Sequence, residues 1–337
     1  MQKRVSLKDI AAKVGVSVAL VSYVMNGQEK EKRVGREVVE KIRKAAEELN
    51  YQPNQIARSL RMKSTKTIGL IVADIANPFF GQLARIIENE AANLGYTVIF
   101  GSSDEDKSKS EALVNSLLNR QVDGFIIVPA EGSDGQIKNL MKRKIPLVLV
   151  DRYFPDINTN HVVLNNFQAT YDATIHLIEN GIQNITMIAY KSELIHMKER
   201  IRGYLDAMKT SGLTENLVVE EIRYEAYKED MEKAFERILK IPWVPKGIIF
   251  ATNALSVSGL YSMRAKCLKI PEDIAFIGFD GGESFDLFNP PLSFVQQPLE
   301  DMGKEAFSLL LGLINGSAKT TQVMLNPSLV IRNSGGC

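Results

Sequence analysis

From Thr67 onward the chain alternates short runs rich in β-branched residues with amphipathic helical stretches. That alternation leaves very few architectures open. Candidate strands are Ile68–Ala73, Thr97–Gly101, Gly124–Val128 and Leu147–Val150, then Val162–Leu164, Ile185–Ala189, Val218–Ile222, Gly247–Phe250 and Ile274–Gly278. Helical periodicity falls between them over Phe80–Leu94, Ser108–Asn119, Gln168–Glu179, Arg202–Thr210 and Met231–Leu239. A parallel neighbour can be reached only by a crossover, so strands separated by helices form doubly wound parallel sheets. Two such series in 337 residues predict an α/β core of two similar lobes.

The first 66 residues follow a different pattern. Ser6 with Asp9 three residues later suits a helix start, and Leu7, Ile10, Ala11 and Val14 recur at helical spacing. Gly15 can stop that helix in the left-handed region and Ser17 can cap the next, which Val21 and Val24 anchor and Asn26-Gly27 ends. Two short helices joined by a glycine-containing turn form a helix-turn-helix, and a third helix from Arg36 to Leu49 completes a small all-α domain. After Pro53 a short helix is expected over Ile56–Arg61. Charge separates head from body. Residues 1–66 carry fifteen Lys and Arg against seven Asp and Glu, a net of +8, while the remainder nets −7. A basic head on an acidic body points to a polyanionic partner.

Several functions are excluded by the same residues. No apolar run approaches the roughly 18 residues that span a bilayer, and Met1-Gln2-Lys3-Arg4 leads into a polar segment rather than a secretory leader. A cytoplasmic protein with no membrane partner is expected. Cys267 and Cys337 are too few and too distant for a disulfide framework or a zinc site. His161, His176 and His196 lack metal spacing, and no nucleophile elbow or phosphate-gripping glycine loop is present. Neither enzyme, metal nor cofactor is expected. A solute-binding protein without a role in transcription is the alternative for the body, but it would not need the basic head.

Ligands of open α/β sheets bind outside the carboxyl ends of the strands. Asp74 and Asn77, with Phe79 and Phe80, follow the first strand; Asp151 and Arg152 follow the fourth. Asn253 follows Ile248-Ile249-Phe250, and Asp280 follows Phe276-Ile277-Gly278-Phe279. Planar polar groups beside aromatic rings suit a sugar or nucleoside.

Taken together, Leu7-Lys8-Asp9-Ile10-Ala11, Gly15-Val16-Ser17, Val21-Ser22, Asn26-Gly27, Leu49-Asn50-Tyr51-Gln52-Pro53-Asn54, Ala57-Arg58-Ser59-Leu60, Ile68-Gly69-Leu70-Ile71-Val72, Asn77-Pro78-Phe79-Phe80 and Gly278-Phe279-Asp280 resemble the lactose-repressor (LacI/GalR) family of bacterial regulators over nearly the whole chain. The resemblance implies a helix-turn-helix domain (1–52), a hinge (53–66) and a core resembling periplasmic sugar-binding proteins (67–337). One lobe is then expected over about 67–160 and 291–325 and the other over 161–290 and 326–337, with crossings near 160, 290 and 325. It also implies a repressor that binds a palindromic operator in double-stranded DNA as a homodimer and is switched allosterically by a small molecule, a sugar or sugar derivative, in the cleft. Carried over by position, Val18, Ala19 and Tyr23 read bases, while Ser17, Ser22 and Arg58 meet phosphates. Ala57 and Leu60 of the hinge enter the minor groove, where an apolar wedge kinks the duplex. Arg200 stands where the family holds its effector, joining Asn77, Phe79, Phe80, Asp151, Arg152, Asn253 and Asp280.

Two positions depart from the family pattern. Ala254 replaces the aspartate that usually follows that asparagine, and Tyr23 stands where arginine is frequent. A tyrosine cannot make the bidentate guanine contact of an arginine, so the operator is expected to differ. Tyr23→Ala is expected to relax base preference at one position of each half-site in a selection from random duplexes; an unchanged selected sequence removes Tyr23 from the reading set.

Overall fold

The Asp9 carboxylate accepts from the Ser6 backbone N–H at 2.8 Å and from its hydroxyl at 2.6 Å, closing the start of α1 (Leu7–Val14) in the computed structural model of the protein. The structure describes residues 5–51, 64–241 and 246–336. The hinge residues 53–63, with Ala57, Arg58 and Leu60, and also Cys337 lie outside the described residues. The chain forms two compact units, Met1–Thr65 and Lys66–Cys337.

In the first unit Gly15 turns the chain at φ 74°, a conformation that any side chain would strain. Ser17 Oγ then accepts from the Leu20 N–H at 3.2 Å and caps α2 (Val18–Met25). Both helices pack on α3 (Arg36–Glu48) through Ile10, Val21, Val24 and Ile42, all nearly or fully buried. With the apolar side of α2 spent on this core, Val18 and Ala19 remain exposed and Tyr23 half-exposed.

The second unit holds two six-stranded sheets. The first is built from β1 (Thr67–Val72), β2 (Thr97–Ser102), β3 (Gly124–Ile127), β4 (Leu147–Val150), β5 (Asn160–Leu164) and a late strand, β11 (Gln322–Leu325). Its order is β11-β5-β4-β3-β1-β2, and every neighbouring pair is parallel. The helices α4 (Pro78–Asn93), α5 (Lys107–Asn119) and α6 (Asp134–Lys142) connect its strands. The second sheet contains β6 (Ile185–Tyr190), β7 (Val218–Ile222), β8 (Gly247–Phe250), β9 (Ala275–Phe279), β10 (Ser293–Gln296) and β12 (Ser328–Val330). Its order is β12-β10-β9-β8-β6-β7, parallel except for the β10–β12 pair. Around it lie α7 (Asn166–Glu179), α8 (Ile195–Thr210), α9 (Tyr227–Ile238), α10 (Asn253–Ala265) and the short α11 (Glu283–Asp286). The last long helix, α12 (Leu299–Ile314), returns to the first lobe and buries Met302, Ala306, Phe307 and Leu310 there.

Two of the expected lobe boundaries shift. The crossing expected near 160 follows Leu164, because Val162 pairs in parallel with Val150 and completes the first sheet. The crossing expected near 290 follows Gln296, because Phe294 pairs with Gly278 in the second sheet. The third lies between Leu325 and Ser328, near the expected 325. A short apolar strand fits either sheet by composition, and only the ladder it completes decides. Helix α8 also begins at Ile195 rather than at Arg202, which places Arg200 inside a helix.

Helices α7 and α8 pack closely at Gly203, where a methyl group would fall inside van der Waals contact of the Phe167 carbonyl oxygen and the Thr170 hydroxyl. Gly203→Ala gains about 1 kcal/mol of helix propensity but must push two helices apart, at a cost of about 3 kcal/mol or more. A net loss of stability in urea unfolding is expected; a neutral or stabilising result would show that the two helices can separate freely.

Candidate functional site

The carboxyl ends of both sheets face a cavity of about 600 Å³ between the lobes of the second unit, within the roughly 300–1,000 Å³ of small-molecule sites. Chain leaving β1 supplies Asp74, Asn77, Phe79 and Phe80, and chain leaving β4 supplies Asp151 and Arg152. Arg200 projects from α8, and Asp280 follows β9. Seven of the eight residues expected to hold a ligand therefore line one space.

Asn253 is the exception and does not line the cavity. Its amide Nδ2 donates to the Asp280 carbonyl at 2.7 Å. Asp280 sits at φ 54°, and this bond ties down a backbone conformation that costs a non-glycine residue free energy. The Asn253 amide thus braces Asp280.

The two arginines differ in what occupies them. Arg152 is buried, and its guanidinium meets Glu105 in a two-point pair at 2.6 and 2.8 Å while Nε reaches Asp151 at 3.2 Å. Burial pulls its pKa down, but Glu105 and Asp151 outweigh burial and hold it above the ordinary value. Arg200 is equally buried yet has no carboxylate within ion-pair distance among the described residues. Its Nε donates to Asn166 Oδ1 at 2.7 Å and Nη1 to the Ala251 carbonyl at 2.6 Å. The guanidinium also lies over the Phe279 ring, 3.7 Å from its centroid. Burial lowers its pKa, partly countered by Asp151 and Asp280, but a guanidinium stays charged throughout. Nη2 has no acceptor among the described residues, so part of the fork is available to a ligand.

Several cavity groups escaped the sequence reading. Gln297 Nε2 donates to Asp280 Oδ2 at 2.9 Å, leaving Gln297 Oε1 buried without a partner. His196 is also buried with Nδ1 unpartnered, and burial, then Arg152 and Arg200, hold its pKa well below the usual value, so it is neutral. Tyr190 and Tyr224 form an edge-to-face pair at 5.5 Å, with both phenols pushed up chiefly by burial. Two contacts bridge the lobes across the cavity: Tyr224 Oη donates to Asp74 at 3.1 Å, and Glu131 accepts from the Ser192 hydroxyl at 2.9 Å and the Glu193 N–H at 3.2 Å. Tyr190 ends β6, and Glu105 and Tyr224 follow β2 and β7, so the rule used for β1 and β4 reaches them; Gln297 follows β10, a strand not among the expected ones. His196 gives no such signal, because it lies within α8. Among the described residues no group of three or more His, Cys, Asp or Glu could hold a metal ion, and no helix is long and apolar enough to cross a membrane.

In the first unit the exposed start of α2 carries Ser17, Val18 and Ala19, and Ser22 and Tyr23 follow one turn later. Ser17 Oγ accepts from Leu20 and Ser22 Oγ accepts from Asn26 Nδ2 at 3.1 Å. Each hydroxyl is thereby held with its own proton available to donate to an anion.

Residues 6–54 match the family described as "Bacterial regulatory proteins, lacI family", and residues 65–334 match "Periplasmic binding proteins and sugar binding domain of LacI family". Catabolite control protein A of Priestia megaterium is 32% identical over 327 residues, covering 96% of each chain. The lac repressor dimer bound to operator and the anti-inducer ONPF superposes with a TM-score of 0.87 over 99% of each chain at 24% identity, a likeness of fold. A LacI family transcriptional regulator from Enterococcus faecium, with bound ribose, matches 80% of this chain and 98% of its own at 25% identity and a TM-score of 0.71.

Burial pushes the Asp280 carboxyl up to about 7, with Arg200 and then Gln297 opposing. The folded pKa exceeds the unfolded one, so the folded state holds the extra proton between about pH 4 and 7. The associated stability is complete below the unfolded pKa and lost as pH rises through 7. Wild type is therefore expected to lose a few kcal/mol relative to Asp280→Asn between pH 5 and pH 8. Denaturant unfolding of both proteins measures this, and a difference that is flat with pH would place the Asp280 titration elsewhere.

Proposed function

Because the chain belongs to the LacI family of bacterial regulators and is a DNA-binding transcription regulator, we propose that it is a repressor. It binds a two-fold symmetric operator as a homodimer and answers to a small carbohydrate held between the lobes of its core. The observation that carries the reading is Arg200, a buried cation with an open Nη2 in a cavity lined by carboxylates and aromatic rings. Such a fork with flanking acceptors suits vicinal hydroxyls, and the rings suit the apolar face of a sugar.

On the DNA side, Val18, Ala19 and Tyr23 face base edges in the major groove, while Ser17, Ser22 and Arg58 meet phosphates and set the register. Ala57 and Leu60 of the hinge take the minor groove. Two-fold symmetry of the dimer dictates an inverted-repeat operator. No step of this function needs catalysis, a metal or a cofactor, and its site of action is the cytoplasm. A ligand shifts DNA affinity only to the extent that it binds two arrangements of the core unequally.

The test pairs selection of duplexes from a random library with ligand titration of the selected operator complex. An inverted repeat is expected, and a selected site without two-fold symmetry would sink the dimer reading. Arg200→Ala is expected to weaken ligand binding on the order of 100-fold while leaving operator affinity within about threefold. A ligand response retained in full by Arg200→Ala would remove the cavity from the switch.

A further inference from the structure

The charge of the cavity says more about its occupant than its shape does. Seven carboxylates and four cationic side chains line it. Arg152 is consumed by Glu105 and Asp151, Arg223 pairs with Asp230, and Glu193 pairs with Lys198. Four lining carboxylates, Asp74, Glu131, Glu225 and Asp280, have no Lys or Arg within ion-pair distance among the described residues. Against them, among the same described residues, stand two unpaired cations, Lys191 and Arg200. The space left for a ligand is therefore negative.

Its hydrogen-bonding capacity is skewed the same way. Gln297 Oε1 is buried and unpartnered, and the Asp280 carboxyl already accepts from Gln297. The phenolic proton of Tyr224 is already given to Asp74, and the Ser192 hydroxyl proton to Glu131. Two of the helices that begin at the cavity, α4 and α10, are capped by their own side chains: Asn77 accepts from the Phe79 N–H and Thr252 from the Leu255 N–H. Helix α8, which begins at Ile195 beside the lining residues Leu194 and His196, has no side-chain cap. The usual backbone cradle for a phosphate is thus partly filled from within. Gln297 Oε1 remains an acceptor to be met, and a buried acceptor left without a donor costs free energy.

Resting on the reading of this cavity as the effector site, we propose that the effector is a donor-rich polyhydroxy compound without an anionic group. An ammonium on the sugar skeleton strengthens binding, and phosphorylation or oxidation to an acid prevents it. The amine supplies a cation and up to three donors where carboxylates lack them, whereas a phosphate brings like charge against Asp74, Glu131 and Glu225. The negative cavity acts as the rejecting element of the specificity.

The test is calorimetric titration of the full-length protein at pH 7 with matched probes: D-glucose, D-glucosamine and D-glucose 6-phosphate, and the corresponding galactose set, with D-ribose and D-ribose 5-phosphate alongside. Within a set that binds, the phosphate is expected to bind at least about 100-fold more weakly than the neutral sugar, and the amino sugar about tenfold more tightly. A phosphorylated probe that binds more tightly than its neutral parent, and loses binding in Arg200→Ala, overturns the charge selection and leaves the cavity as the effector site. Probe binding that ignores Arg200→Ala overturns the cavity reading and this proposal with it. If no neutral or amino probe binds, the ligand class is wrong. The double substitution Asp74→Asn with Glu225→Gln tests the cause directly, and Glu225 is exposed on a loop while Asp74 is only half-buried. It is expected to narrow the neutral-to-phosphate ratio at least about tenfold; an unchanged ratio overturns the electrostatic origin.

Discussion

A guanidinium buried without a carboxylate beside it must be stabilised by neutral groups, and the second lobe is arranged to do this for Arg200. Asn166 at the start of α7, the Ala251 carbonyl at the end of β8 and the Phe279 ring at the end of β9 each take part of the charge. Thr170 of α7 holds the same residue from the other side, donating to the Arg200 backbone carbonyl at 2.5 Å. Those contacts require α7 and α8 to pack closely, and Gly203 permits that approach. The cation in turn tempers the burial-driven rise of Asp280 and helps keep His196 neutral. One side chain thus links helix packing, the protonation of the cavity and the donor that a ligand finds there.

Arg152 shows the opposite solution in the first lobe. It is buried among two carboxylates, and Glu105 reaches it from a left-handed backbone position at φ 59°. Most of its donors are spent, so it holds the ends of β2 and β4 together while contributing little free hydrogen-bonding capacity to the cavity. An arginine after a strand can therefore be a strut or a reader, and its neighbours decide which. The lobes meet through Tyr224–Asp74 and through Glu131 with the Ser192–Glu193 loop, both hydrogen bonds to carboxylates rather than ion pairs. Such contacts are directional and can be exchanged for ligand contacts at modest net cost. That is the physical opening for a ligand to prefer one lobe arrangement over another.

The local signals of this chain are legible in its residues alone. Ser6 with Asp9, Gly15 and Ser17 specify two helices and the turn between them, because a cap, a left-handed residue and a second cap are decided within a few residues. The alternation of strand and helix specifies two doubly wound sheets for the same reason. Strand ends point to Asn77, Asp151 and Asp280, and the resemblance to known regulators adds Arg200.

Tertiary structure decided everything that depends on which distant segment lies alongside. Nothing in Val162–Leu164 or Ser293–Gln296 states which sheet will adopt it, since an apolar strand satisfies either ladder; pairing with Val150 and with Gly278 settled the two crossings. Asn253 and Arg152 read as ligand contacts by position, yet their hydrogen bonds go to Asp280 and Glu105, residues 27 and 47 positions away. His196 and Gln297 carry no motif and enter the site only because α8 and the chain leaving β10 converge on the cavity. Sequence determined most of the elements and the kinds of group at their ends, because those follow from nearest neighbours, but not the late strands β10, β11 and β12. Only the fold decided which groups are buried together, and with that their charge state, their partners and their remaining capacity to bind.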